Sequence, residues 1–272
     1  MKKLIYTTDF SKNSVAALNY AAGLSKLLHA ELIVLHIAEK VEKEKEKAYL
    51  LQKHKDLEAF TSLHLESSQN DLDISWAVRM GNPKKQIPGF IKDLNIDLLI
   101  MGTAGLGAVE RFFLGSTVRT LMTNSTAPVL VVPPNYRYKH PTNLLYASDY
   151  EQEDIFHIGK LIQLFKPEPV KILVVHISNE DELMIKNLLE WFKQSLQEKI
   201  KYEHLDFSVI FSEDRLKGLQ TAIKRNSADL VVMLERTPRP ERSGIFYKDL
   251  VQELQSKIKI ALLFSFLCSE HI

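Results

Sequence analysis

The chain has 272 residues, 45% hydrophobic and 25% charged, with a formal net charge of +1. That is an ordinary globular composition with room for one large or two small domains, and its near-neutral charge sets up no field to gather nucleic acid or an anionic membrane. The single cysteine, Cys268, excludes an internal disulfide framework and fits a reducing cytosol. No apolar run approaches the roughly 20 residues that span a bilayer. Asp9 cuts the first apolar stretch too short for a signal-peptide core, so a cytoplasmic location is expected.

The elements follow in an alternating order. Residues 4–8 predict a strand, and Asp9 follows it as TTD. A helix is predicted over residues 12–28, where Val15, Leu18, Ala22, Leu24 and Leu28 recur at helical spacing. A strand at 31–37 precedes a charged helical stretch at 43–68, whose run EKVEKEKEK alternates in sign and reads as a solvated face. After a strand at 72–79, Gly81, Asn82 and Pro83 form a turn that starts another helix through Ile87, Phe90, Ile91 and Leu94. A strand at 97–101, a glycine segment, a helix at 116–124 and a last strand at 128–132 complete this half. Strands that alternate with helices and are apolar almost throughout imply a parallel, doubly wound α/β sheet covered on both faces. In such sheets ligands bind beyond the carboxyl ends of the strands.

The segment DLLIMGTAGLGAVERFFLGSTVRTL, residues 97–121, is the most specific in the chain. An apolar run through Met101 stops at Gly102, Gly105 follows, and Gly115 leads Ser116 and Thr117 into the next apolar-periodic stretch. Strand, glycine turn and helix start present free backbone N–H groups and a positive helix end to an anion, usually phosphate. Plain turn punctuation and an ordinary N-cap are the alternatives. A Walker loop is excluded because Leu114 precedes Gly115 with no lysine nearby, and a dinucleotide fingerprint fails at Glu110. Asp9 has two readings as well. It is either a turn or capping carboxylate, beside a Ser11 able to cap the helix, or a contact to the base or ribose of a nucleotide.

The chain also repeats itself. LIYTTDF at 4–10 returns as LLYASDY at 144–150, and ELIVLHIA at 31–38 as KILVVHIS at 171–178, both offset by 140. IDLLIM at 96–101 returns as ADLVVM at 228–233, offset by 132. PPNYRYKHPT, residues 133–142, reads as a linker between domains at 1–134 and 142–272. His36 and His176 occupy equivalent strand positions. A hydrogen-bonded core histidine is the expected role for each, and no Cys/His/Asp spacing suggests zinc.

TTDFSKNSVAALNYAAGLSKLLHAELIVLHI, the GNP turn and MGTAGLGAVERFFLGSTVRTLMTNSTAPVLVVP closely resemble the universal stress proteins, across essentially the whole first half. Gly-x2-Gly-x9-Gly-Ser is the pattern of that family's ATP-binding branch. The resemblance implies that Thr8, Asp9 and Ile37 line the adenine and ribose side, beside Thr7 and Met101. It implies that Gly102, Gly105, Gly115, Ser116 and Thr117 wrap the phosphates. Thr7 departs from the proline or valine frequent there. ATP, carried with Mg2+ on its phosphates, is the implied cofactor. The whole chain resembles a tandem universal stress protein with Rossmann-like domains related by a pseudo-twofold axis. In that family the last strands of two domains pair antiparallel, which would join 128–132 to 260–264 within this chain, and a further homodimer fits the family pattern.

The second half keeps the strand pattern and loses the glycines. At offset 132, Gly102 becomes Leu234, Gly105 Thr237, Gly115 Tyr247 and Ser116 Lys248, while Gly81 becomes Glu213. Non-glycine residues at left-handed positions cost about 1–2 kcal/mol each, so no ATP site of this kind is expected there. Asp149 persists at the Asp9 position, and Arg236, Arg239 and Arg242 form a basic loop suited to an anion, a partner's acidic surface or plain solvation.

Three functions follow. The first is a nucleotide-binding regulatory module whose occupancy signals to an unidentified protein partner. The second is a slow ATPase or nucleotidyl transferase, for which Arg111 and Arg119 are the only cations near the loop. The third is an interaction scaffold with a vestigial loop.

Overall fold

The computed structural model describes residues 1–66, 72–103, 115–235 and 260–266. It divides into two compact units, Met1–His140 and Pro141–Ile272.

The first unit runs β1 (Lys3–Thr8), a single 3-10 turn (Lys12–Ser14), α1 (Val15–Leu28), β2 (Glu31–Ala38), α2 (Glu46–His64), β3 (Ile74–Met80), α3 (Pro83–Leu94), β4 (Leu98–Gly102), α4 (Ser116–Asn124) and β5 (Val129–Val132). Its strands lie in the order β3-β2-β1-β4-β5 and every pair is parallel. Leu4–Tyr6, Leu32–Leu35, Leu98–Ile100 and Val129–Val132 are almost wholly buried, as a sheet covered on both faces demands. The strand order reverses at β1, between β2 and β4, so the carboxyl ends of β1 and β4 form the crevice.

The helices begin and end for local reasons. Gly81 sits at φ +130°, a conformation closed to most L-residues, and Asn82 then caps α3 by accepting from the Lys84 N–H at 2.9 Å. Pro83 opens the helix where its missing N–H costs nothing. His29 and Asn95 end α1 and α3 in the left-handed conformation. α2 is shorter than the charged stretch suggested. Its run before Glu46 forms turns with an exposed Lys45–Glu42 ion pair at 2.6 Å, and within the helix only Leu57 and Thr61 are buried.

The linker is partly docked. Tyr136 and Tyr138 pack on Tyr20 of α1, with ring centroids 5.9 and 5.3 Å apart. Gly23 makes room, since a Cβ there would lie 2.3 Å from the Tyr138 ring.

The second unit repeats the plan with β6 (Asn143–Ala147), α5 (Gln152–Leu164), β7 (Lys171–Ser178), α6 (Glu182–Lys199), β8 (Leu205–Phe211), α7 (Arg215–Arg225), β9 (Leu230–Glu235) and β10 (Ala261–Phe266). Its order is β10-β9-β6-β7-β8, all parallel. The Gly81 N–H donates to the Ala38 carbonyl and that of Ser212 to the Ser178 carbonyl, so Ser212, rather than Glu213, stands at the Gly81 position. Cys268, Thr237, Tyr247, Lys248 and the basic loop from Arg236 to Arg242 lie outside the described residues. Among the described residues no helix is long and apolar enough to cross a membrane.

Candidate functional site

The crevice is built from two segments that leave the sheet side by side. After β1 the chain turns through Asp9 and Phe10, with Phe10 at φ +62°. The Asp9 carboxylate accepts from the Ser11 N–H at 3.1 Å, and the Thr8 hydroxyl accepts from the Phe10 N–H at 3.0 Å. Ser14 ties the turn down, donating from its hydroxyl to the Ser11 carbonyl at 2.7 Å and pairing with the Thr8 hydroxyl at 2.9 Å. Tyr6 donates to the Ser14 carbonyl at 2.7 Å, and burial pushes its phenol far above the ordinary tyrosine range. Ser11 occupies the expected cap position, yet its side chain makes no capping bond. The hydroxyl is buried, with no hydrogen-bond partner among the described residues.

From the other side, β4 ends at Gly102 against this turn. A Cβ on Gly102 would lie 3.1 Å from the Asn13 carbonyl oxygen, so the close approach of the two backbones favours glycine here. Thr103 follows, 1% exposed, and its hydroxyl too has no hydrogen-bond partner among the described residues. The chain returns at Gly115, whose N–H donates to the Thr103 carbonyl at 2.8 Å. Gly115 caps α4 in an extended conformation (φ −57°, ψ 152°), and the exposed Ser116 and half-buried Thr117 form the first turn, where N–H groups have no partner in the helix.

The structure therefore brings Thr8, Asp9, Gly102, Gly115, Ser116 and Thr117 to one edge of the sheet. Ile37, half-buried, is the last residue but one of β2 and stands at the same edge. Gly105 lies outside the described residues, as does Arg111. Thr7 and Met101 are 9% and 7% exposed and sit opposite each other within the sheet, so they support the crevice from inside the core. Gly115 directs its N–H to Thr103, so the donors left for an anion at this helix start are those of the residues after it.

His36 is a hydrogen-bonded histidine, as its apolar surroundings suggested. Its Nδ1 lies 2.9 Å from the Thr8 carbonyl oxygen and its ring 4.3 Å from that of Phe10. Phe60 packs on Phe10 in turn, and the Lys53 ammonium stands 5.7 Å from the Phe10 ring. Burial lowers the His36 pKa against the opposing pull of the Thr8 carbonyl, and Lys53 adds to the lowering. The aromatic partners were missed in the sequence. The phenylalanine directly after Asp9 was the available signal, but Phe60 comes from another helix.

The second unit uses the same frame differently. His176 Nδ1 lies 2.8 Å from the Ser148 carbonyl, and Tyr150 takes the place of Phe10 at φ +58°. Tyr150 is 1% exposed, donates to the Ser208 carbonyl at 3.0 Å and packs between His176 and Phe192. Asp154 replaces Ser14 and accepts from Tyr146, Ser148 and the Glu151 N–H at 3.0, 2.7 and 3.1 Å. Its carboxylate is wholly buried, and these donors offset the desolvation. Among the described residues no group of three or more His, Cys, Asp or Glu side chains is gathered as a metal site.

The fold and this edge define a doubly wound α/β protein of the Rossmann-like class. Residues 1–133 match the universal stress protein family. Universal stress protein MJ0577 of Methanocaldococcus jannaschii is 28% identical over 152 residues, covering 48% of this chain and 94% of that protein. MJ0531 of the same organism is 28% identical over 138 residues, covering 48% and 81%. The crystal structure of a universal stress protein from Archaeoglobus fulgidus DSM 4304 covers 97% of this chain and 98% of its own, with a TM-score of 0.64 at 15% identity, a likeness of fold. The likeness to the universal stress proteins thus rests on residues 1–133, nearly the whole of the first unit.

Proposed function

We propose that the first unit is a stress-related nucleotide-binding module that holds one adenine nucleotide, ATP, at the carboxyl edge of β1, β2 and β4. The observation that carries this reading is the meeting of Gly102 and Gly115 through Thr103, directly beside the Asp9 turn. The edge fits such a ligand: two backbones approach closely at Gly102, and two buried hydroxyls, of Ser11 and Thr103, have no hydrogen-bond partner among the described residues. Ser116 and Thr117 at the α4 start would hold the phosphates, and Asp9 and Ile37 the ribose and adenine. Mg2+ would ride on the phosphates and neutralise their charge, without a protein cage.

Occupancy of this edge is read as a conformational or partner-binding signal. Among its described residues the second unit carries no equivalent site, since Leu234 stands where β4 has Gly102 and the Tyr150 side chain is packed into its core. The slow ATPase reading stays second, because phosphoryl transfer needs a cationic clamp and Arg119 on α4 is exposed.

Mass spectrometry of the small molecules released on denaturing freshly purified protein tests the proposal, with a calorimetric titration of Mg-ATP beside it. About one adenine nucleotide per chain is expected. Two per chain would restore a site to the second unit, and none, with a flat titration, would leave the scaffold reading.

A further inference from the structure

The edge that carries the candidate site continues past Ile37 into a basic pocket. The register of the parallel strands places Arg79 of β3 directly opposite Ile37 of β2, while Thr8 lies opposite His36 one position earlier. Residues in register on neighbouring strands share a face, and adjacent strands are about 4.8 Å apart. Asp9, Ile37 and Arg79 thus follow one another along the strand ends. Gly102 ends β4 and Arg79 lies on β3, about 14 Å apart across three strand spacings.

Beyond Ile37 the ends of β2 and β3 enclose a solvent-open cavity of about 450 Å³. Lys40 and Arg79 supply its positive charge, Glu46 opposes them, Gln86 adds an amide, and Leu50 and Met80 give apolar wall. The Arg79 guanidinium is already held in place. It lies 4.8 Å over the Phe90 ring and 3.5 Å from Asp93, a solvent-exposed pair that leaves other donors of the fork available. The second unit, which lacks the glycines, also lacks these cations. The register that pairs Ile37 with Arg79 pairs Ile177 with Ile210, and Glu180 follows β7 where Lys40 follows β2.

Resting on the nucleotide reading above, we infer that the Lys40–Arg79 pocket takes a second phosphate of the same ligand, so that the preferred ligand class is a nucleotide phosphorylated at two separate places. The 5′ phosphates lie at the β4–α4 end of the crevice. A phosphate on the ribose away from the 5′ chain is then directed toward β3, where Arg79 and Lys40 meet it. Nothing covalent happens. Two cations recognise a dianion that a plain mononucleotide lacks, and each charge-assisted hydrogen bond favours the doubly phosphorylated form.

Calorimetry on the full chain with adenosine 3′,5′-bisphosphate and with 5′-AMP tests this, in the wild type and in Lys40→Ala/Arg79→Gln, with thermal melts to verify folding. The bisphosphate is expected to bind about tenfold more tightly than 5′-AMP, and the double substitution to bring that ratio near one. The single Lys40→Ala substitution, at an exposed residue, should lower the ratio part of the way. Equal wild-type affinities for the two nucleotides overturn the inference and leave the nucleotide reading standing. A ratio that survives the double substitution places the second phosphate elsewhere and also overturns it. A gain for 5′-AMP on adding inorganic phosphate, abolished by the same substitutions, assigns the pocket to a separate anion and overturns the single-ligand form. No binding of either nucleotide removes the inference together with the reading on which it rests.

Discussion

The imidazole Nδ1 of His36 lies 2.9 Å from the carbonyl oxygen of Thr8. This bond joins the ends of β1 and β2 and makes Nδ1 the protonated nitrogen of the neutral ring, with Nε2 free to take up a proton. Burial opposes that uptake and holds the pKa below the usual value near 6.5. The unfolded chain therefore binds the proton first. Stability is independent of this group above about pH 6.5 and falls as pH drops through the window between the unfolded and the lower folded pKa. Urea unfolding at a series of pH values from 8 to 5 should show that loss, and His36→Leu should remove it. The same substitution removes one partner of the Thr8 carbonyl at a cost of about 1 kcal/mol, and a pH profile identical to wild type would refute the assignment.

Gly23→Ala separates helix propensity from packing. In a free helix the change would stabilise by up to about 1 kcal/mol. Here the new methyl would meet the Tyr138 ring at 2.3 Å and lift it from α1, so a net loss of about 1–2 kcal/mol is expected. Burial holds the Tyr138 phenol up at about 12. Its contribution to stability is complete below the ordinary tyrosine value near 10 and is lost as pH rises from there through about 12. An ultraviolet titration should show one phenol moving back toward 10 in the variant.

Gly102 and Gly115 should respond differently to alanine. At Gly102 the methyl meets the backbone of Asn13 at 3.1 Å, and a loss of about 1–2 kcal/mol in folding is expected whatever the ligand. At Gly115 the nearest atom is 3.7 Å away and the backbone is extended, so the melting temperature should stay within about a degree or two. If phosphate approaches the α4 start, Gly115→Ala still weakens Mg-ATP binding by about tenfold or more. Unchanged affinity in this folded variant would move the phosphates elsewhere.

Ser11 and Thr103 carry buried hydroxyls without partners among the described residues. Removing such a group spares a desolvation cost, so Ser11→Ala and Thr103→Val should be neutral or stabilising by up to about 1 kcal/mol without nucleotide. If the hydroxyls turn to the nucleotide when it binds, the order reverses with nucleotide present, since each variant then loses a hydrogen bond to the ligand. Melting curves with and without Mg-ATP read both signs, and a variant destabilised in the apo protein would show its hydroxyl to be already satisfied.

Much of the architecture was legible because each part of it rests on local chemistry. Strands buried on both faces must be apolar throughout, and Leu98–Met101 and Val129–Val132 announced themselves that way. Gly81-Asn82-Pro83 encodes a left-handed residue, a cap and a helix start in three consecutive letters. Boundaries were less exact where charge replaced packing, as at α2, whose ends have little to bury.

The sequence alone determined the order of elements, the internal repeat, and which half retains the glycines, since all three depend on neighbours along the chain. Only the tertiary structure decided that the Ser11 hydroxyl does not cap, that Gly115 gives its N–H to Thr103, and that His36 meets Thr8 and Phe10. It alone set Arg79 beside Ile37. These outcomes depend on strand register and on partners between 12 and 42 residues away, apart from Ser11. Position along the chain carries no distance information across a sheet. Register does, and register exists only once the strands have paired.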